Sequence, residues 1–176
     1  MKRRLFHILW IAALAALGFW GWRAWFPGPE QVIRRQLAEL AQTASFSAGQ
    51  SPLSKLANAQ KIGAFFLPEV EITLEVPGRS QVAFHNRDEL LEAAMAATSA
   101  AGSLSLKFVD IHVTLAPDRQ SAVANLTVQA AVNQEKNAYV QELNFYWTKF
   151  EGQWRIRRVE NVKTLSAADG PRSPYL

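Results

Sequence analysis

The second half of the chain constrains the fold most, because residues 104–165 read as four consecutive β-strands. The segments are LSLKFVDIHVTL, AVANLTVQAAV, YVQELNFYWTKF and WRIRRVENVKTL, joined by short turn-rich links. Each is rich in β-branched and aromatic residues that alternate with polar ones, the pattern of a strand with one buried face. We therefore predict a sheet of consecutive strands, with the upstream residues covering one of its faces.

The upstream residues predict three helices and two further strands. Apolar residues recur at helical spacing over residues 30–46 and again after Ser51-Pro52, to about Phe65. The segments VEITLEV and SQVAFH then read as a strand pair joined by a Pro-Gly turn. Asn86 and Glu89 form a capping-box-like start for a third helix. The order α-α-β-β-α-β-β-β-β predicts an α+β domain with a mostly antiparallel sheet.

The N-terminal segment predicts a single transmembrane helix that anchors the chain. A cationic head, MKRR, precedes an apolar run from residue 5, and aromatic residues cluster towards residue 26. The bulky sequence FWGWRAWF disfavours cleavage, so an uncleaved signal anchor is preferred over a cleaved signal peptide. The positive-inside tendency then leaves the N-terminus in the cytoplasm and the domain in the periplasm or outside the cell.

Composition excludes several classes of function. Lys2, Arg3, Arg4 and Arg23 account for the whole excess of basic over acidic residues, so the folded part is formally neutral. A nucleic-acid-binding domain needs a basic patch of its own, and none is expected here. The chain has no Cys, which excludes disulfides and thiolate metal sites, and no motif predicts a cofactor or a metal.

The order of elements and the closing hairpin, Phe150-Glu151-Gly152-Gln153-Trp154-Arg155-Ile156, resemble the nuclear transport factor 2-like superfamily. This superfamily is also known as the SnoaL-like or cystatin-like cone fold. The resemblance covers residues 30–165, with the anchor and a Pro/Gly stop in residues 1–29 and a disordered tail in 166–176. It implies that the helices pack on the concave face of a curved sheet. The superfamily contains isomerases, dehydratases, cyclases and proteins that bind or assemble, so the resemblance implies a fold without choosing a function.

The register of the strands predicts which residues point into such a cone. If Leu115 faces Ala122, then Val109, Ile111 and Val113 fall on the core face, whereas Asp110 and His112 fall on the polar outer face. The predicted inward set is wholly apolar: Val109, Ile111, Val113, Ala124, Leu126, Val128, Leu143, Phe145, Trp147 and Ile156. Two irregularities are needed to keep this pattern, a β-bulge near Lys107–Phe108 and another near Arg158–Glu160.

Few residues are candidates for chemistry. His85, at the end of the second strand, could act as a base with Tyr139 or Glu71 as its partner. Asp110, His112 and Asn125 could form a metal-binding cluster on the surface, although a solvated sheet face is the simpler interpretation. An apolar pocket could be lined by five aromatic residues, Phe65, Phe66, Phe145, Trp147 and Trp154. A basic stripe for an acidic partner or anionic headgroups is predicted at Arg155, Arg157, Arg158 and Lys163.

The sequence favours a membrane-anchored extracytoplasmic domain that binds or scaffolds, without evident catalytic residues. Its partner would be another protein or a small apolar ligand. The alternative is a small cone-fold enzyme of the isomerase, dehydratase or cyclase type that acts on an apolar molecule. A third interpretation is an assembly subunit that forms a homodimer through the outer face of the sheet.

Overall fold

The computed structural model describes residues 28–75, 81–133 and 139–162. These residues form three helices and six strands in the predicted order. The helices are α1 (Pro29–Ala44), α2 (Pro52–Gly63) and α3 (Arg87–Ala100). The strands are β1 (Phe66–Leu74), β2 (Val82–Phe84), β3 (Leu104–Leu115), β4 (Ser121–Val132), β5 (Tyr139–Phe150) and β6 (Gln153–Asn161).

The six strands form one mixed sheet in the order β2-β1-β6-β5-β4-β3. Neighbouring strands run antiparallel except β1 and β6, which are parallel, with Ile72 opposite Val159. The three helices cover one face of the curved sheet, which confirms the predicted α+β class. Within the described ranges no helix has the length and apolar character needed to cross a bilayer. The predicted anchor and the predicted tail both lie outside the described residues.

The register of the sheet shifts in the β1–β6, β3–β4 and β5–β6 pairs, and the two irregularities predicted from the sequence, on β3 and β6, lie at other residues. On β3, Val109 pairs with Thr127 and His112 pairs with Asn125, so two residues, Asp110 and Ile111, stand opposite one. Asp110 has a φ of 52° and turns the strand at this point. The predicted bulge near Lys107–Phe108 is therefore wrong by about two residues.

The shifted bulge changes which residue fills the core. Phe108 pairs with Val128 on the inner face, while Val109 pairs with Thr127 on the outer face, so the prediction that Val109 points inward is wrong. The Phe108 ring packs against the Phe145 ring with centroids 5.8 Å apart. A phenyl ring buries more apolar surface than an isopropyl group, which favours this register.

The second bulge lies at Arg157 on β6. Trp147 pairs with Ile156 as predicted, but Tyr146 pairs with Arg158, which leaves Arg157 as the extra residue. The predicted position near Arg158–Glu160 is therefore off by at least one residue. The bulge returns Val159 to the inner face, where it is buried.

Helix α1 packs one apolar face against the sheet. Its residues Ile33, Leu37, Leu40 and Ala41 recur at helical spacing and are buried against the sheet. The chain that follows α1 is tied to the edge strand β3. The Ser45 Oγ accepts a hydrogen bond from the Leu106 N–H at 2.9 Å, and Phe46 forms an antiparallel bridge with Leu104.

The starts of α2 and α3 follow the predicted capping chemistry. The Ser51 Oγ accepts a hydrogen bond from the Ser54 N–H at 3.2 Å. At α3, the Asn86 Oδ1 accepts from the Glu89 N–H at 2.8 Å, and the Glu89 carboxylate accepts from the His85 N–H at 2.8 Å. These bonds satisfy backbone donors that the helices leave unpaired.

Candidate functional site

An apolar cavity of about 310 Å³ lies between the helices and the inner face of the sheet. This volume is at the lower end of the range found for ligand pockets, roughly 300–1,000 Å³. Helices and the segment after α1 supply one set of wall residues: Leu40, Ala44, Phe46, Ile62, Leu90, Ala94, Ala97 and Thr98. The strands supply the other: Phe66, Ile72, Leu74, Phe84, Leu104, Leu106, Phe108, Val128, Leu143, Phe145 and Val159.

The wall offers almost no polar chemistry. Thr98 is the one lining residue with a polar side chain, and its Oγ1 donates a hydrogen bond to the Met95 carbonyl at 2.8 Å. None of the lining residues carries a titratable side chain. General acid–base catalysis needs such a group within hydrogen-bond reach of the substrate. The cavity can therefore hold an apolar molecule by contact and exclusion of water.

The two sides of the cavity differ in how tightly they are packed. On the side of α1 and the sheet, five residues of the adjoining core are fully buried: Ile33, Leu37, Val70, Trp147 and Ile156. On the other side, none of the 14 residues of α3 is buried. The α2–α3 pair thus forms a thin cover over the cavity, which we call the helical cover.

The five predicted pocket aromatics fall in three places. Phe66 and Phe145 line the cavity. Trp147 and Trp154 lie in the core behind it and do not touch the open space. Phe65 lines a separate cleft of about 470 Å³ on the surface, together with Gln36, Glu39 and Arg155 among others.

The predicted base and its partners do not line the cavity. His85 is exposed just beyond the end of β2, and its backbone N–H is used in the cap of α3. Tyr139, at the start of β5, is 54% exposed. Glu71 is paired with Arg158, whose Nε donates to the Glu71 Oε2 at 2.9 Å. The structure thus gives these three residues separate surface roles.

The predicted basic stripe is divided among different neighbours. Arg155 donates to the Ala64 carbonyl and to the Gln153 side chain. The hydrogen bond from Arg158 to Glu71 raises the pKa of the Arg158 guanidinium, and Arg157 is exposed at the bulge. Lys163 lies outside the described residues. Among the described residues, therefore, the predicted basic stripe is not a continuous positive surface.

The outer face of the sheet carries paired polar side chains. The Tyr146 hydroxyl donates to Glu160 at 2.6 Å, and this bond, with partial burial, raises the pKa of the tyrosine. The Asn125 amide donates to Asn144 on the next strand. Asp110 and His112 are both exposed, as predicted for this face. Within the described ranges no three His, Asp or Glu residues lie close enough together to hold a metal ion.

Some lining residues have only a weak signal in the sequence. Phe84 is the aromatic residue of the short segment SQVAFH, and its alternation with Val82 marks the inner face. Phe46 lies between helices and has no periodicity to reveal it. Thr98 reads as an ordinary polar helix residue, so its place in the wall follows only from the packing of α3.

Comparison with known proteins supports the fold and leaves the activity open. No protein-family model matches the sequence, and no curated protein matches it. Among solved structures, a nuclear transport factor 2-like protein of unknown function from Pseudomonas putida KT2440 has a TM-score of 0.57 at 11% identity, over 74% of this chain and 82% of its own.

Two further solved structures have similar scores. A protein of unknown function with a cystatin-like fold from Nostoc punctiforme PCC 73102 has a TM-score of 0.55 at 10% identity, over 73% of this chain and 86% of its own. A protein from Novosphingobium aromaticivorans DSM 12444, provisionally named a scytalone dehydratase, has a TM-score of 0.54 at 14% identity, over 81% of this chain and 93% of its own. At such identities the similarity shows the fold alone: the chain has the cone fold of nuclear transport factor 2-like proteins.

Proposed function

We propose that this chain is a non-catalytic, membrane-anchored domain that binds a small apolar molecule in its cone. The observation that carries the proposal is the 310 Å³ cavity, whose wall is apolar except for the Thr98 hydroxyl. An apolar ligand of matching shape would gain about 25 cal/mol for each Å² of apolar surface removed from water. The wall has no group that would pull a proton from such a ligand or give one to it.

The anchor forms the second part of the proposal. Residues 5–26 would hold the chain in the inner membrane, with the cationic head in the cytoplasm and the domain in the periplasm or outside the cell. The described structure begins at Gly28, and α1 starts one residue later. A short connection of this kind would keep the cavity close to the bilayer, where apolar molecules accumulate.

Ligand binding is tested with a variant that fills the cavity and a matched variant that does not. Val128 lines the cavity, whereas Val123 lies on the same strand with the opposite orientation. Both are half-buried. The full-length chain in lipid nanodiscs is titrated with 1-decanol in a calorimeter, and the heat of protein-free nanodiscs is subtracted. Val128→Phe should lower the affinity at least tenfold, about 1.4 kcal/mol or more, while Val123→Phe should leave it unchanged.

Anchoring is tested by membrane sedimentation and by protease treatment of spheroplasts. The full chain should sediment with the membranes and be digested from outside, and deletion of residues 5–26 should release it. A mature chain that is recovered soluble, with its N-terminus removed, would overturn the anchored half of the proposal and leave the cavity unaffected.

The second candidate function is a cone-fold enzyme of the isomerase, dehydratase or cyclase type. The name given to the Novosphingobium protein motivates this candidate. Such an enzyme would have to use His85, Tyr139 or another surface group that reaches the mouth of the cavity. Turnover of an apolar carbonyl substrate that is abolished by His85→Ala, with folding and 1-decanol binding intact, would establish it over the non-catalytic function.

A further inference from the structure

A small recess, whose surface is mainly apolar but which is bordered by several polar residues, adjoins the apolar cavity beneath the helical cover. It has a volume of about 20 Å³, close to the space of one water molecule. Five residues line both spaces: Ala44, Phe46, Ile62, Ala94 and Thr98. The recess adds polar side chains that the cavity lacks, from Thr43, Gln50, Lys55 and Asn58. Together the two spaces form a mainly apolar site whose smaller end is bordered by these polar residues.

Lys55 supplies the charge at the smaller end. Its Nζ donates a hydrogen bond to the Thr98 carbonyl at 2.9 Å, in the last turn of α3. The last carbonyls of a helix have no partner within the helix, so this bond caps α3. An ammonium has three donors, and the cap uses one. No Asp or Glu is among the residues that line the recess, so the positive charge is not neutralised there.

Gln50 supplies a polar group that lacks a partner. Its Oε1 is buried, and no described residue forms a hydrogen bond with it. A buried acceptor without a partner costs free energy, and a carboxylate can recover it only if the amide is turned over so that its NH₂ group takes the place of the oxygen. The amide can present its oxygen or its NH₂ group to a ligand. Asn58 also lines the recess, and its amide can likewise present either its oxygen or its NH₂ group.

From this geometry we infer that the ligand is an amphiphile with a single carboxylate, whose apolar chain occupies the cavity and whose head lies at the opening of the recess, towards Lys55 and Gln50. The inference rests on the proposed function, since it specifies the class of ligand for the same cavity. A carboxylate accepts several hydrogen bonds at once, so it can use the remaining Lys55 donors and the amide NH₂ groups together.

The competing explanation is that Lys55 serves only to cap α3. A cap acts on every ligand alike, because it holds the helical cover in place whatever the cavity contains. A head-group contact acts only on a charged head. A pair of probes with the same chain and different heads, decanoate and 1-decanol, therefore separates the two explanations.

The experiment measures the affinity of both probes for the full-length chain in lipid nanodiscs at neutral pH. The Val128→Phe chain, whose cavity is filled, measures the binding that does not depend on the cavity. Lys55→Met should weaken decanoate about tenfold and change 1-decanol by less than about twofold. Lys61→Met is the matched control on the same helix, since Lys61 is exposed and lines the separate surface cleft. It should change neither affinity.

Gln50→Leu provides a second variant that leaves the Lys55 cap intact. It should weaken decanoate about threefold or more and weaken 1-decanol less, because a hydroxyl can form only a neutral hydrogen bond with the amide. If Lys55→Met and Gln50→Leu alter both probes equally, or alter neither, the inference is overturned while the proposed function stands. If the wild-type chain binds neither probe, the proposed function itself fails, and this inference fails with it.

Discussion

Single residues in unusual backbone conformations shape the sheet. Asp110 holds a left-handed conformation in the middle of β3, where most residues would be strained. The short polar side chain of Asp tolerates this conformation better than a branched one does. The position of the bulge therefore depends on one residue whose preference is weak, and this explains why the alternation of LSLKFVDIHV did not locate it. Phe108 and Val109 are both apolar, so either register places a hydrophobic side chain in the core.

The strain at Asp110 predicts the outcome of two substitutions. Asp110→Gly should raise the free energy of unfolding by up to about 1 kcal/mol, and Asp110→Val should lower it by about 1–2 kcal/mol. His112→Gly is the matched control on the same strand, because His112 is equally exposed and pairs regularly with Asn125. It should destabilise, since Gly weakens a regular strand. Chemical denaturation measures all three, and a gain of stability in both Gly variants would contradict the assignment of strain to Asp110.

The hydrogen bond between Tyr146 and Glu160 predicts a pH dependence on the outer face. The bond raises the pKa of Tyr146 above its value of 10.0 in the unfolded chain. Its contribution to stability is therefore complete below pH 10 and is lost as the pH rises through the folded pKa. Tyr146→Phe should lower the stability at pH 8 by about 1 kcal/mol or less, and this difference should shrink above pH 10.

Ultraviolet titration of the tyrosines provides the direct measurement. The wild-type chain should show one tyrosine that titrates later than the others, and Tyr146→Phe should remove it. Glu160→Gln is a useful companion variant, because it keeps an acceptor and removes the charge that opposes ionisation. A late tyrosine that persists in Tyr146→Phe would contradict the assignment.

The helices and strands differ in how well their sequences specify them. Periodicity located all three helices and the long strands β3 to β6, because each carries apolar residues at regular spacing on one face. It did not reveal that β1 lies beside β6 in parallel, since that pairing joins residues far apart in the chain. The cavity was equally inaccessible from the sequence, because its volume depends on how far α3 stands from the sheet. The apolar character of its wall was predicted, while the small recess beside it was not.

The helical cover predicts uneven hydrogen exchange. Helix α3 has no buried residue and begins with the Asn86–Glu89 cap, so it should open more easily than α1, whose Ile33 and Leu37 are fully buried. Asn86→Ala should weaken α3 by about 1 kcal/mol and speed the exchange of its amides. Exchange measured by mass spectrometry should show no change in α1.

Asn86→Ser is the matched control for that experiment, because Ser is as good an N-cap as Asn. It should restore slow exchange in α3. Equal acceleration of α1 and α3 in Asn86→Ala would mean that the cover does not open independently of the core.

At the scale of the whole molecule, the outer face of the sheet has no function in the proposals above. Charged groups of both signs lie on it, among them Glu71, Glu142, Arg158 and Glu160. If two chains associate through this face, the contact should be polar and weaken as salt screens the charges. Analytical ultracentrifugation should then show dimers at low ionic strength that dissociate at about 0.5 M salt. Glu142→Lys should change the proportion of dimer at a given salt concentration. Monomers at every salt concentration would rule this dimer out.

The position of β6 within the sheet has a consequence for how the protein is made. This strand comes after all the other described elements, yet it lies between β1 and β5. Until it leaves the ribosome, β1 and β2 have no sheet to join, and the helices before β3 have only an incomplete surface to cover. Contacts between such distant parts of a chain form slowly. The domain can therefore complete its sheet only after β6 has been synthesised.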